Sequence, residues 1–478
     1  MPAQNPSANN RSSLAESRTG EFSRLFSGSV ILPGSGEYDS ARRVWNGMID
    51  RRPGIIARCG AVSDVVSAVR FARDNDLQLA VRGGGHNVSG NGVCDEGIVI
   101  DLSHMKGIRV DGNGREVYAQ AGLTWGEFDR ETQAYGLATP GGLISTTGIA
   151  GLTLGGGFGW LSRKYGLSCD NLLSADVVTA DGEFLTASST EHQDLYWGIR
   201  GGGGNFGIVT SFRFRLHPVS TVFGTIGFRP GDEARQTLEF YRDFTGSCPD
   251  EVSSFAAIAT APPAPFIPAS WHGRKTSLIA TCHCGSPEEA ERISRPLRTF
   301  GHPFAVLGSP MPYVVIQSSN DPIAPPGMRN YWKSEFVGGL SDGLIDVLAG
   351  ALDSASSPMN AVHIYHMQGA ISRVSAESTA YSYRDAPLLV VIIASWTDRS
   401  EDAEQIRWAR DLWERIRGYS LGGTYVNFLG DEGEDRVRSS YAESTHARLT
   451  SLKTRYDPSN LFRLNQNIPP GAQVKETI

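Results

Sequence analysis

Leu79-Ala-Val-Arg-Gly-Gly-Gly-His-Asn-Val-Ser-Gly90 is the stretch around which this chain is organised. A short apolar run ending at Val81 predicts a buried strand, and it runs directly into Gly83, Gly84 and Gly85, where backbone can turn sharply and lie against a ligand with no Cβ in the way. Phosphates are cradled in this manner. The spacing matches neither common nucleotide loop: Gly-x-Gly-x-x-Gly opening a helix is missing, as is a Gly-Lys-Ser/Thr ending. Beside the bare backbone stands His86, whose imidazole can serve as nucleophile, base or metal ligand. A histidine that merely caps a turn is the plain alternative.

A second glycine system weighs against that alternative. From Gly141 to Gly159, eight residues are glycine, each costing extra chain entropy on folding, and a packed core gains nothing from missing side chains. A long, flat, polar-ended cofactor explains them.

Five segments together carry a resemblance: Arg82-Gly-Gly-Gly-His86, Ser145 to Gly159, Tyr165-Gly-Leu-Ser-Cys-Asp-Asn171, Gly201 to Val209, and Asn465-Gln-Asn-Ile468. In order and spacing they resemble the berberine bridge enzyme-like flavoproteins, a branch of the vanillyl-alcohol oxidase superfamily with a PCMH-type FAD-binding domain. The match covers nearly the whole chain after about residue 30. It implies an FAD bonded covalently to His86 through the 8α-methyl carbon. Many members carry a second bond from a cysteine, but Ile144 stands at that place, so one link is expected. The residues expected to bind FAD are His86, Arg82, Gly83, Gly84, Gly85, Asn87, Gly90, Gly141, Gly142, Ser145, Thr146, Gly148, Gly151, Gly155, Gly156, Gly159, Tyr165, Gly207, Val209, Asn465 and Asn467. Cys94 and Cys169 read as small buried hydrophobes. Leu152 stands where some plant members place a histidine near the flavin carbonyl, and with the missing second link this leaves redox potential and oxygen reactivity open.

Bulk properties narrow the rest. The chain has 478 residues, 51.6 kDa, 40% hydrophobic and 20% charged residues, an ordinary globular composition too long for one core. A formal net charge of −7, a pI near 5.9 and no lysine-arginine block argue against a nucleic-acid partner. Six cysteines without a Cys-x-x-Cys pair do not form a small disulfide framework. Cys282-His283-Cys284 has no second ligand pair at zinc-finger spacing, so alternation along a strand explains it better and no metal is expected. The first twenty residues are polar and lack the apolar core of a secretory signal, and no run suffices to span a bilayer. A cytoplasmic protein with no membrane partner is the expectation, and oligomeric state is illegible.

The expected fold class is α+β: a two-domain PCMH-type FAD-binding fold with an antiparallel-sheet substrate domain backed by helices, and a C-terminal return to the FAD domain. Residues 1–25 read as a disordered segment, 26–218 as the FAD-binding domain, 219–428 as the substrate-binding domain, and 429–478 as the berberine bridge-type segment that completes the FAD domain. Within the first domain the pattern predicts a strand over Pro53–Cys59, a helix capped by Ser63, strands at Gly97–Leu102 and Leu173–Ala180, and a hairpin around Asp111-Gly-Asn-Gly114. A small sheet of mixed strands is expected to carry them. In the second, strands such as Thr276–Cys284, Ala361–Tyr365 and Leu388–Ser395 alternate with helices such as Ala234–Phe244, Pro287–Thr299 and Glu404–Ile416. Val437–Thr454 has helical spacing.

The flavin ring accepts hydride, so the second domain must place the donor carbon and supply a base. Gly423-Thr-Tyr-Val-Asn-Phe428, read as a strand, puts Tyr425 and Asn427 on one face. In the family a Tyr-x-Asn pair lies above the flavin, with the tyrosine serving as base in several members; a tyrosine packed at a domain seam is the alternative. Along Ala361–Gly369, His363, Tyr365 and Met367 share one face and Ile364, His366 and Gln368 the other. Family position favours His366 and Gln368 for the pocket. Lys333 in Tyr331-Trp-Lys-Ser334 either meets substrate or is solvated. The expected function is an FAD-dependent oxidase that takes hydride from an alcohol or amine C–H of a small secondary-metabolite or catabolic substrate, with molecular oxygen as acceptor. The alternatives are a dehydrogenase of the same fold using another acceptor, or a non-catalytic binding protein derived from it.

Overall fold

The computed structural model describes residues 19–24 and 26–471. The disorder expected for residues 1–18 and 25 therefore falls outside the described residues, whereas residues 19–24 are helical and Phe22 stacks on Phe71 with ring centroids 4.5 Å apart.

The first part of the chain builds two larger sheets and a two-stranded ribbon of Leu137–Ala138 with His217–Pro218, where one mixed sheet was expected. Ser29–Ile31, Ile55–Arg58, Ile98–Asp101 and Leu79–Arg82 are neighbours in that order; the last three run parallel and the first pairs antiparallel at the edge. The parallel strands are apolar up to their last residues, Arg58, Arg82 and Asp101, as burial on both faces requires, and helix Val62–Asp74 connects two of them. That helix starts one residue before Ser63: Ala61 is the cap residue, and the Asp64 carboxylate accepts from the Gly60 and Ala61 amides. The second sheet is antiparallel, in the order Ile108–Asp111, Glu116–Gln120, Ile208–Arg215, Leu172–Val178, Phe184–Ser188.

From Thr221 a seven-stranded antiparallel sheet follows, ordered Ala305–Pro312, Thr221–Pro230, Lys275–His283, Val252–Thr260, Ala361–His366, Leu388–Trp396, Arg329–Val337. Cys282 and His283 lie on one of its strands, Cys284 follows it, and among the described residues no group of side chains is arranged for a metal. One face of the sheet is covered by helices Ala234–Thr245, Asp342–Ala349 and Asp402–Ile416, whose Leu238, Leu344 and Leu412 pack with Val362, Ile364, Val390 and Ile392. Its other face lines a large cavity.

The C-terminal helical stretch is two helices, Glu434–Ser439 and Glu443–Tyr456. The second carries the chain back onto the first part, with Leu449 and Leu452 in the same core as Leu195 and Phe206. Lys453, fully buried, donates to the Asp457 carboxylate at 2.7 Å and to the carbonyls of Asn205 and Phe462. Asp457 in turn accepts from the amides of Leu461 and Phe462, which fixes the turn leading to Asn465. No helix among the described residues is long and apolar enough to cross a membrane.

The two glycine systems meet. A Cβ on Gly84 would lie 2.3 Å from the Gly148 amide nitrogen, and one on Gly148 would lie 2.4 Å from that of Gly84; neither neighbour can yield, because both are backbone. Gly148→Ala is expected to cost about 3 kcal/mol or more through overpacking, whereas Gly151→Ala, one helical turn on with nothing within 4 Å of its Cβ, should leave the fold intact. Thermal melting of the flavin-free proteins reads the contrast.

Candidate active site

Between the helix-free face of the large sheet and the clasped glycine loops lies a cavity of about 1420 Å³. Single-ligand clefts usually run from about 300 to about 1,000 Å³, so this one has room for a cofactor and a second small molecule. Its floor includes Gly83, Gly84, Gly85, His86, Asn87, Thr147, Gly148, Gly151 and Leu152, with Gly207, Val209 and Asn465 at one end. Its far wall is Phe228, Phe255, His363, Tyr365, Val391 and Trp332. Among the described lining residues Arg82 alone carries a full charge, and it is committed: Nη2 donates to Asp101 Oδ2 at 2.6 Å, both side chains buried. Burial alone would raise the Asp101 carboxyl, but the Arg82 guanidinium holds it below the usual range.

His86 sits where strand Leu79–Arg82 has just ended. Gly85 before it has φ +71°, a left-handed conformation that favours glycine. The imidazole is boxed in. Nε2 lies 2.9 Å from Thr146 Oγ1, Nδ1 lies 3.4 Å from Thr147 Oγ1, and the Trp45 ring stacks at 5.1 Å and 18°. Burial pushes its pKa down to about 4, so the ring is neutral near pH 7. Trp45 itself is held by its indole N–H to the Ala324 carbonyl and its amide to the Gly85 carbonyl. Next to it Asn46, buried, donates to the Val88 and Asn330 carbonyls and accepts from the Asn330 amide. The His86 loop is thereby fastened to the edge strand of the large sheet.

Tyr425 is buried in the opposite rim. It does not lie on a strand: its own backbone is extended, but Val426–Phe428 is a turn of 3-10 helix. The turn nonetheless folds Asn427 back so that Nδ2 donates to the Tyr425 hydroxyl at 2.8 Å, and the Gly157 amide donates to the same oxygen at 3.0 Å. These two bonds favour the phenolate, yet burial outweighs them and the phenol pKa is raised. Asn427 also donates to the Leu152 carbonyl. Gly155 makes room for it, since a Cβ there would lie 2.0 Å from Asn427 Oδ1.

Several sequence-predicted residues shape the floor without reaching the cavity. Gly90, at φ +75°, abuts Ile49; Gly141 abuts the Trp125 ring, Gly142 abuts Leu152, Gly156 abuts Tyr381, and Gly159 abuts the Gly141 carbonyl. Ser145 gives its amide and hydroxyl to the Asp321 carboxylate. Tyr165 stacks on His217 at 4.0 Å, away from the cavity. Asn465 faces the cavity, Asn467 does not, and the side-chain carbonyl oxygens of both are buried without a partner. Cys94 and Cys169 are free and buried.

Three expected pocket residues lie elsewhere. His366 is outside the large cavity and borders a small void beside it with Phe158 and Tyr365; its Nδ1 is 3.6 Å from Cys248 Sγ and its Nε2 is 3.2 Å from Gln368 Oε1. Gln368 is exposed. Alternation gives the cavity to His363 and Tyr365 instead, with His363 Nδ1 2.8 Å from the Tyr365 hydroxyl and its ring stacked on Phe255. Lys333 is neither solvated nor in the cavity. It is 5% exposed, ion-paired with buried Glu432, and its ammonium lies 4.2 Å from the Trp413 ring centre; its neighbour Trp332 takes the cavity side. The sequence shows both faces of these strands but not which one meets helices. No sequence signal marked Trp45, Thr147 or Asp321.

The site accommodates FAD. Its glycine loops leave bare backbone along the floor, and Asn465 presents an orphaned buried acceptor. Comparison with known proteins agrees. Residues 53–188 match the FAD binding domain family, and residues 424–469 match the family described as "berberine and berberine like". An FAD-linked oxidoreductase of Dictyostelium discoideum is 31% identical over 457 residues, 94% of this chain and 96% of that one. The chain belongs to the berberine bridge enzyme-like family. It is an FAD-dependent oxidoreductase. (R)-6-hydroxynicotine oxidase of Paenarthrobacter nicotinovorans is 30% identical over 453 residues, covering 93% of this chain and 97% of that protein. The crystal structure of 6-hydroxy-D-nicotine oxidase from Arthrobacter nicotinovorans superposes with a TM-score of 0.83 at 29% identity, over 93% of this chain and 98% of that one.

Two outcomes follow from the burial. Lys333→Ala leaves Glu432 to Arg436 alone, and stability should fall by about 3 kcal/mol, with Lys333→Met plus Glu432→Leu recovering most of it in thermal melts. His86, His363 and His366 are each held by burial at a pKa of about 4, below the unfolded value of about 6.5. Between those limits the unfolded chain binds more protons than the native one, so the melting temperature of the flavin-free protein should fall as pH is lowered from 6.5 towards 4.

Proposed function

We propose that this enzyme is an oxidase of neutral, largely apolar, ring-bearing alcohols or amines, with FAD tethered through His86 alone and molecular oxygen as electron acceptor. Residues 26–218 and 429–478 hold the flavin in this reading, and 219–428 shape the substrate end. The FAD ring supplies the hydride acceptor, chemistry that no side chain provides.

The observation that carries the reading is the Tyr425 hydroxyl, which accepts two N–H bonds, from Gly157 and Asn427, at the cavity wall beside the second glycine loop. Both lone-pair sites are filled by protein donors, so the remaining O–H is the group left to meet a substrate. Upon proton removal the same two donors stabilise the developing phenolate. Burial opposes a standing phenolate, so the hydroxyl must first release its own proton, and the Gly157 and Asn427 donors then hold the phenolate that takes the substrate proton as hydride leaves.

Substrate class follows from the far wall. Phe255, Phe228, Val391, Trp332 and Phe158 present apolar surface; the polar groups beside them are the His363–Tyr365 pair with Thr260, Asn330, Asn360 and Ser395, of which Asn330 and Asn360 already bond to protein groups. A polyhydroxylated sugar would leave most of its hydroxyls unpaired here, at a cost of about 1–3 kcal/mol each. No free charge lines the cavity among the described residues, so ionic substrates lack a counterion. The relative that oxidises 6-hydroxynicotine, a ring-bearing amine, supports the same class. For FAD the fit is equally direct: His86 is neutral and adjacent to bare backbone, and Ile144 lines the cavity without offering a second nucleophile.

The purified protein should be yellow and should keep its colour in the pellet after acid precipitation, with His86→Ala releasing the flavin. Tyr425→Phe should slow anaerobic flavin reduction by about 10²- to 10⁴-fold with reoxidation in air unchanged. Reduction at the wild-type rate removes Tyr425 as base. A wild-type flavin that air fails to reoxidise in stopped flow removes the oxidase reading.

A further inference from the structure

We propose that Thr146 is the positioning residue for attachment of FAD to His86, accepting the Nε2 proton and passing it to solvent as Nδ1 bonds to the flavin. The inference rests on the covalent reading above and names a role for a residue outside the cavity lining.

The two ring nitrogens of His86 face different surroundings. Nδ1 lies on the side of Thr147, which lines the cavity, whereas Nε2 lies 2.9 Å from the hydroxyl of Thr146. Thr146 is exposed and is not part of the cavity lining, so its exposure is to bulk solvent. With the Thr146 hydroxyl accepting from Nε2–H, the ring is the tautomer in which Nδ1 carries the lone pair and the Thr147 hydroxyl, 3.4 Å away, donates to it. The nitrogen with the free pair is then the one on the cavity side.

Attachment forms a bond from Nδ1 to the 8α-methyl carbon and breaks one C–H of that methyl group. The methyl proton leaves, the C–H electron pair passes into the isoalloxazine, and dioxygen takes up the two electrons with two protons to become hydrogen peroxide. One of those protons is the methyl hydrogen's. The other is the Nε2 proton, because an imidazole alkylated at Nδ1 and still protonated at Nε2 is a cation. That cation would sit against the Trp45 ring in a site whose burial disfavours charge. Thr146 is the polar group in contact with Nε2 and opens a route for that proton to water.

The test follows the bond rather than turnover. Flavin-free protein is mixed with FAD in air, quenched in acid at intervals, and the fraction carrying a covalent adduct is read by intact mass, with non-covalent FAD uptake followed by flavin fluorescence. Thr146→Val should bind FAD as wild type does but form the adduct about a hundredfold more slowly, and Thr146→Ser, which keeps the hydroxyl, should restore most of the rate. Thr146→Ala gives the same readout should the valine variant not fold. Attachment at the wild-type rate in the valine or alanine variant overturns the proposal, as does a serine variant as slow as they are, while the covalent reading stands. Absence of any adduct on the wild-type protein removes the covalent reading and this proposal with it.

Discussion

Everything in this structure depends on two stretches of backbone lying closer than any side chain would allow. Gly84 and Gly148 touch through their amide nitrogens and α-carbons, and that contact brings a loop at the end of a parallel strand against a loop at the start of a short helix. Neither loop could hold the other by burying apolar surface. What holds them is their anchorage on either side: Arg82 to Asp101 in the parallel sheet, and the Thr147 and Leu123 carbonyls bonding the Trp125 and Ile149 amides at the second loop. The glycines permit the approach, and the neighbouring sheets enforce it.

The second part of the chain is placed relative to that contact by a few buried polar bonds. Asn46 joins the His86 loop to Asn330, Trp45 reaches Ala324, and Asp321 holds Ser145. Each connects a glycine loop to the segment leading into one edge strand of the seven-stranded sheet, so floor and wall of the cavity are set as one unit. Buried side-chain amides of this kind are expensive unless satisfied, and Asn46, with four bonds, is satisfied. The distance between His86 and the substrate wall is therefore fixed by polar pairing, while the wall's own shape is fixed by apolar packing beneath it.

The ionisable groups divide along the same line. Lys333, Glu432, Arg436 and Glu335 form a buried ionic network under the sheet, whereas the cavity above it keeps no uncommitted charge among the described residues. His86, His363 and Tyr425 are all held in their neutral forms by burial. A cavity with neutral walls leaves charge changes during reaction to the cofactor and to the one hydroxyl that already has donors in place. Two N–H donors converge on the Tyr425 hydroxyl, whereas the nearby Tyr365 hydroxyl is paired with His363.

How much of this was legible in the sequence varies by residue type. Glycine clusters announced bare backbone, the apolar run before Gly83 announced a buried strand, and the ordered set of motifs announced the FAD-binding family. Tyr425 and Asn427 were legible as a pair, although the element under them is a 3-10 turn and not a strand, because both geometries return residues two apart towards one another when a hydrogen bond joins them. The faces of Ala361–His366 and Arg329–Val337 were not legible. Alternation separates His363 from His366 and Trp332 from Lys333, but which set meets helices and which meets a cavity depends on elements far away in sequence, Asp342–Ala349 and Asp402–Ile416 among them. By itself the sequence determined the fold class, the glycine loops and the cofactor, since these rest on local backbone freedom and motif order. Only the tertiary structure decided which wall faces the cavity, because burial is a property of what a strand packs against and no strand carries that information alone.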